Sequence, residues 1–172
     1  MKHVIASIAF MLIVQVAKSQ DAISQFFSKY QNDESFSHVT VSSKMFSLFT
    51  NMEADTPEDK EVLNAISKLK GLRILTKSDS LNSRKLYKEA FSLIPVKDYE
   101  ELMSFRDKDK DIKFMIKESS GKISELLMVM GGSKEFMVLS LFGEIDLKQV
   151  SRIGKKMDVK GLENLEKMDK KK

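Results

Sequence analysis

The chain of 172 residues has no cysteine and no tryptophan, only two prolines, seven glycines and two histidines. Without a thiol there is no disulfide framework, no cysteine nucleophile and no Cys/His zinc site. Attachment of lipid to a cysteine placed directly after a cleaved leader is excluded as well, because that place holds Gln20. Beyond residue 19 a single histidine, His38, remains, in a Val/Thr-rich segment that reads as a strand. A Ser-His-Asp triad would have to use it, and no Gly-x-Ser-x-Gly elbow presents a serine, so His38 is read as structural. The sequence also lacks a Pro- or Ser-rich linker and any repeat of about 20–50 residues, which leaves one domain.

One long apolar run is present, at the N-terminus. Lys2 and His3 precede Val4–Val16, which is apolar apart from Ser7 and Gln15, and Ala17-Lys18-Ser19 places small residues at positions -3 and -1 before Gln20. This three-part layout is that of a secretory signal peptide over residues 1–19. The run is shorter than the roughly 20 residues that cross a bilayer. The remaining chain is therefore expected to be exported to the periplasm or extracellular space, with no transmembrane span after cleavage and no lipid anchor.

Charge is unevenly distributed. Past residue 19 there are 27 basic and 25 acidic residues; from Arg152 to Lys172 there are eight and four, which leaves 19 against 21 for the body. The basicity belongs to the tail, including Lys167, Lys170, Lys171 and Lys172, and a nucleic-acid partner is not expected. Weak contact with acidic membrane surfaces is open to such a tail.

Hydrophobic periodicity divides the rest. Ile23, Phe26, Phe27 and Tyr30 mark a helix, Phe36–Val41 a strand, and Met45, Phe46, Phe49 and Met52 a second helix capped by Ser42 or Ser43. Thr56-Pro57, with Asp59 three residues after the cap, opens a third helix that should reach Lys70, with Gly71 as its left-handed cap. Leu72–Thr76 reads as a strand and 82–93 as a helix ended by Pro95. Asp98 is expected to cap a short helix carrying Tyr99, Leu102 and Met103. Ile112–Ile116, Ile123–Met130 and Phe136–Phe142 then form a three-strand antiparallel meander, turned at Ser120-Gly121 and Gly131-Gly132-Ser133. Asp146 caps a last helix with Leu147, Val150 and Ile153 facing inward. The expected fold is α+β, an antiparallel sheet with helices mainly on one face, over residues 20–154. Residues 155–172 are expected to form a basic helix or frayed tail.

Four constellations invite a chemical role. Asp107, Asp109, Asp111 and Glu118 fall at positions 1, 3, 5 and 12 of a calcium-loop spacing. Position 6 is Ile112 where glycine is required, and Lys108, Lys110 and Lys113 offset the charge, so a polar turn before a strand is preferred. Gly131-Gly132-Ser133-Lys134 resembles a fragment of a phosphate loop but leads into a strand rather than a helix. Glu144 and Asp146 could form a hydrolase's acid pair, although Asp146 already serves as a cap. Glu100-Glu101 falls on a predicted helix surface. No catalytic, cofactor-binding or metal residues are assigned. The Phe/Met-rich stretch Phe26, Phe27, Met45, Phe46, Phe49 and Met52 is mostly core, with a remainder available to a partner.

Phe26-Phe27-Ser28-Lys29-Tyr30, Val41-Ser42-Ser43-Lys44-Met45-Phe46, Leu69-Lys70-Gly71-Leu72-Arg73-Ile74-Leu75-Thr76, Tyr99-Glu100-Glu101-Leu102-Met103, Gly121-Lys122-Ile123-Ser124-Glu125-Leu126-Leu127-Met128 and Gly143-Glu144-Ile145-Asp146-Leu147 occur in that order. Together they resemble the domain-of-unknown-function 4252 family, small exported proteins of Bacteroidota. The resemblance implies a cell-envelope protein without known activity, cofactor or catalytic residues, from a family context that touches extracytoplasmic-type sigma factors and envelope stress. The resemblance also implies that many relatives are lipoproteins, whereas this chain lacks the lipobox cysteine. The expected function is a non-enzymatic interaction or accessory module with another envelope protein as partner. The alternatives are an exported carboxylate-based hydrolase and weak membrane-surface association through the tail.

Overall fold

Segments of period 3.6 and period 2 alternate along the chain, and each becomes an element. In a computed structural model, which describes residues 22–51, 54–78 and 80–156, helix α1 (Ala22–Lys29) buries Ile23, Phe26 and Phe27 on one stripe, continued by Tyr30 just past its end. Strand β1 (Ser37–Ser42) leads directly into α2 (Ser43–Phe49), whose inward residue is Phe46. Helix α3 (Pro57–Ser67) begins as its sequence requires: Thr56 Oγ1 accepts from the Asp59 N–H at 3.1 Å and Pro57 occupies the first turn. Strand β2 (Leu69–Lys77) and helix α4 (Ser83–Leu93) follow, then a 3-10 turn at Val96–Asp98. The remainder is β3 (Glu100–Arg106), β4 (Lys110–Ser119), β5 (Lys122–Gly132), β6 (Phe136–Ile145) and α5 (Leu147–Lys156). Asp146 caps α5 by accepting from the Gln149 N–H at 3.1 Å.

The six strands form one antiparallel sheet in the order β1-β2-β6-β5-β4-β3. The C-terminal meander thus has four strands, one more than expected, and β2 and β1 are added on the far side of β6. Strand β6, apolar on both faces, lies inside the sheet as its sequence demands. Ser120 and Gly121, with φ of 54° and 74°, make the two-residue turn between β4 and β5.

Because side chains alternate across a sheet, each long strand feeds two cores. The first contains Leu127, Val129, Phe136, Val138 and Met115 under α1 and α4, where Phe26 packs edge-to-face on Tyr30 and Phe136. The second contains Phe114, Ile116, Leu126, Met128, Leu139 and Leu141, together with Phe46 of α2, Ile66 of α3 and Val150 of α5. The α+β class holds, but the helices divide two and three between the faces instead of lying mainly on one. The reason is visible in β4, β5 and β6, whose apolar residues point both ways and leave no face to water.

Three local expectations are corrected. Residues 100–106 are strand, not helix: the register shifts between Glu101 and Met103, and this bulge lets the adjacent Leu102 and Met103 both reach the second core. Helix α3 stops at Ser67, with Lys68 in a right-handed conformation, so Gly71 is no helix cap. It lies in β2 opposite Phe142, where an added Cβ would sit 2.2 Å from that ring. Strand β5 extends through Gly131 and Gly132, both expected in a loop. Residues 1–19, Met52 and 157–172 lie outside the described residues, as does the side chain of Ile153.

Candidate functional site

The sequence-derived candidates do not converge. His38 is exposed on β1, its Nε2 3.0 Å from the Tyr30 carbonyl; the nearby Asp33 carboxylate accepts from both the Ser35 hydroxyl and the Ser35 N–H, closing a local turn. Asp107 closes the β3–β4 turn by accepting from the Asp109 and Lys110 N–H groups at 2.7 and 2.8 Å, and these bonds hold its carboxyl below the usual range. Asp111 is buried against Arg106. Glu118 stands near the other end of β4, seven residues and roughly 23 Å along an extended strand from Asp111. The calcium spacing therefore runs along a strand and cannot close around an ion, and no cluster of three or more His, Cys, Asp or Glu fit for a metal occurs among the described residues. Gly131 and Gly132 end β5, and Ser133-Lys134 lead on toward β6; Gly131 makes room for Tyr87 of α4, whose Cβ would lie 2.5 Å from an added Cβ. Glu101 lies on β3 and pairs with Lys113 at 2.7 Å; Glu100 is exposed beside it.

Of the paired acids, Asp146 is a helix cap and Glu144 has a different part. Glu144 follows Gly143, whose φ of 140° and close approach to the Lys68 carbonyl, 2.5 Å from an added Cβ, belong to the bulge where β2 and β6 begin to pair. The bulge turns Glu144 outward between two lysines. Its Oε1 lies 3.1 Å from Lys68 Nζ and its Oε2 2.6 Å from Lys122 Nζ. Hydrogen bonding to Lys122, then to Lys68, holds the carboxyl below its usual pKa, so it is ionised and cannot serve as a general acid near neutrality.

Glu144 forms the divide of a long surface groove at this end of the sheet. On one side a cavity of about 820 Å³ is lined by Lys44 of α2, Lys68 and Lys70 at the α3–β2 junction, and Lys122 of β5. Ser43, Ser47, Ser67, Ser119 and Ser124 also line it, with the Ser47, Ser67 and Ser124 hydroxyls donating to the Lys44, Asn64 and Lys117 carbonyls, and Glu144 is the one acidic residue in the lining. On the other side a cavity of about 740 Å³ reaches Glu61, Glu118 and Asp146 and ends at Gln149. The sequence offered no sign of the basic half, because its lysines are scattered from residue 44 to 122 without a motif.

The family model for a domain of unknown function, DUF4252, matches residues 30–153, well over half of the chain. The chain belongs to the DUF4252 family. The match spans every strand of the sheet and most of α5, and the groove lies wholly within it. Among the described residues of this DUF4252 domain, Gln149 Oε1 is a buried side-chain atom left without a hydrogen-bond partner, whereas two other acids are structurally engaged. Glu125 accepts from the Tyr99 hydroxyl and the Ser140 hydroxyl, each at 2.7 Å, and closes the end of the first core. Glu89 accepts from Tyr30 at 2.9 Å and from Lys29, tying α4 to α1. Among the described residues no helix is long and apolar enough to cross a membrane. Comparison with curated proteins and with solved structures found no match.

Proposed function

We propose that the chain is an exported cell-envelope protein that works by binding, as an interaction or accessory module with another envelope protein as partner, in the setting of envelope stress. The observation that carries the non-enzymatic part is the placement of the two acids: Glu144 is held in ion pairs with Lys68 and Lys122, and its neighbour Asp146 accepts from the Gln149 N–H as a helix cap. The leader-like N-terminus supports export, and the family context supports the envelope setting. A surface suited to a partner is offered by β1 and α2, where Val39, Met45, Leu48 and Phe49 are 48, 47, 54 and 39% exposed beside an unpaired strand edge.

Fractionation of producing cells followed by N-terminal sequencing tests the address: product beginning at Gln20 outside the cytosol is expected, and intact Met1 in the cytosol would refute it. Co-purification from an envelope fraction, comparing the native chain with Val39→Asp/Leu48→Asp, tests the binding role. A protein retained by the first and lost by the second is expected. Turnover of an ester, glycoside or peptide substrate that disappears in Glu144→Gln would restore the hydrolase alternative.

A further inference from the structure

We infer that the basic half of the groove is a binding site for a phosphate-type oxyanion, with Lys68 and Lys122 as its primary ligands and Lys44 and Lys70 as its flanks. The first support is concentration of charge. The body of the chain carries more acid than base, 21 against 19 over residues 20–151, yet this cavity gathers four lysines against one carboxylate. The lysines come from α2, the α3–β2 junction and β5, so only the tertiary fold assembles them.

The second support is geometry. Lys68 and Lys122 already converge on a single pair of oxygens, those of Glu144, at 3.1 and 2.6 Å. An anion of two or more charges entering from the serine-lined side competes with the single charge of Glu144 for these ammonium groups. Among the described residues Lys44 and Lys70 take part in none of the ion pairs. They are available to a ligand wider than one carboxylate. Glu144 then acts as a resident competitor: it holds the lysines in place while the site is empty and repels the incoming anion. A cavity of about 820 Å³ accommodates a phosphorylated small molecule or a phosphorylated headgroup.

Inorganic pyrophosphate is the probe, titrated calorimetrically into the full chain at low ionic strength. Saturable binding is expected, weakened about tenfold or more in Lys68→Met/Lys122→Met and tightened several-fold in Glu144→Gln. The opposite signs separate recognition from misfolding, since a damaged chain does not gain affinity. Heat absent from both the native chain and Glu144→Gln, or equal affinity in the double methionine variant, would overturn the site. Vesicles of phosphatidylcholine with phosphatidic acid identify the source. Binding that pyrophosphate displaces and Lys68→Met/Lys122→Met abolishes assigns a lipid headgroup, whereas pyrophosphate binding without vesicle binding assigns a soluble ligand. Vesicle binding that survives the double substitution overturns the headgroup assignment. Hydrolysis of the probe would sink the non-enzymatic proposal above while leaving the site standing.

Discussion

At the scale of single residues, ionisable groups in this domain hold elements together. Glu89 illustrates the effect on stability. Hydrogen bonding to Lys29 first, then to Tyr30, holds its carboxyl below the ordinary value of 4.5, and the side chain is only 27% exposed. A carboxyl with a lowered folded-state pKa contributes stability above its unfolded pKa and loses it as pH falls through the folded value. Glu89→Gln keeps an acceptor for Tyr30 and removes the charge. It should lower stability by up to about 1 kcal/mol at pH 7, and the difference in thermal midpoint from the native chain should close as pH drops below the mid-4 range. A constant difference across pH 3–7 would show that the ionised pair contributes nothing. Tyr30 itself is pushed upward, chiefly by burial and then by Glu89, and stays neutral throughout this range.

At the scale of elements, the caps and turns follow local rules, while the bulges do not announce themselves. Thr56, Asp146 and the Ser120-Gly121 turn stand where a sequence rule puts them. Strand β3 was obscured because its bulge places Leu102 and Met103 side by side on one core, which breaks the period of two that would have identified it. Gly71 resembles a helix cap in sequence, but its lack of a side chain serves the Phe142 ring across the strand pair. The β2–β6 bulge makes a sharp prediction. Gly143→Ala imposes a Cβ at positive φ and within 2.5 Å of the Lys68 carbonyl. The substitution should cost about 1–3 kcal/mol from the backbone conformation alone, with the steric contact adding to it, measured by denaturant unfolding. Stability equal to the native chain would mean that this end of the sheet is not held as described.

At the scale of the whole molecule, one sheet shared by two cores should behave as one cooperative unit. Phe26 lies in the first core and Phe114 in the second, both fully buried. Phe26→Ala and Phe114→Ala should each cost about 3–5 kcal/mol. In each variant, far-ultraviolet and near-ultraviolet circular dichroism should report coincident transitions. Separate transitions in either variant would divide the molecule into independent layers.

What the sequence alone determined is local: a thiol-free chain, one apolar run near the N-terminus, and the identity of most helices and strands. Capping pairs, turn residues and hydrophobic periods each act within a few positions of themselves, which is why they can be recognised there. Only the tertiary structure decided the division of helices between two faces, the fourth meander strand and the groove. Each depends on partners far apart along the chain. Lys44, Lys68 and Lys122 share a cavity solely because β2 and β5 flank β6, an arrangement set by burial of apolar surface on both sides of the sheet and recorded in no contiguous stretch of residues.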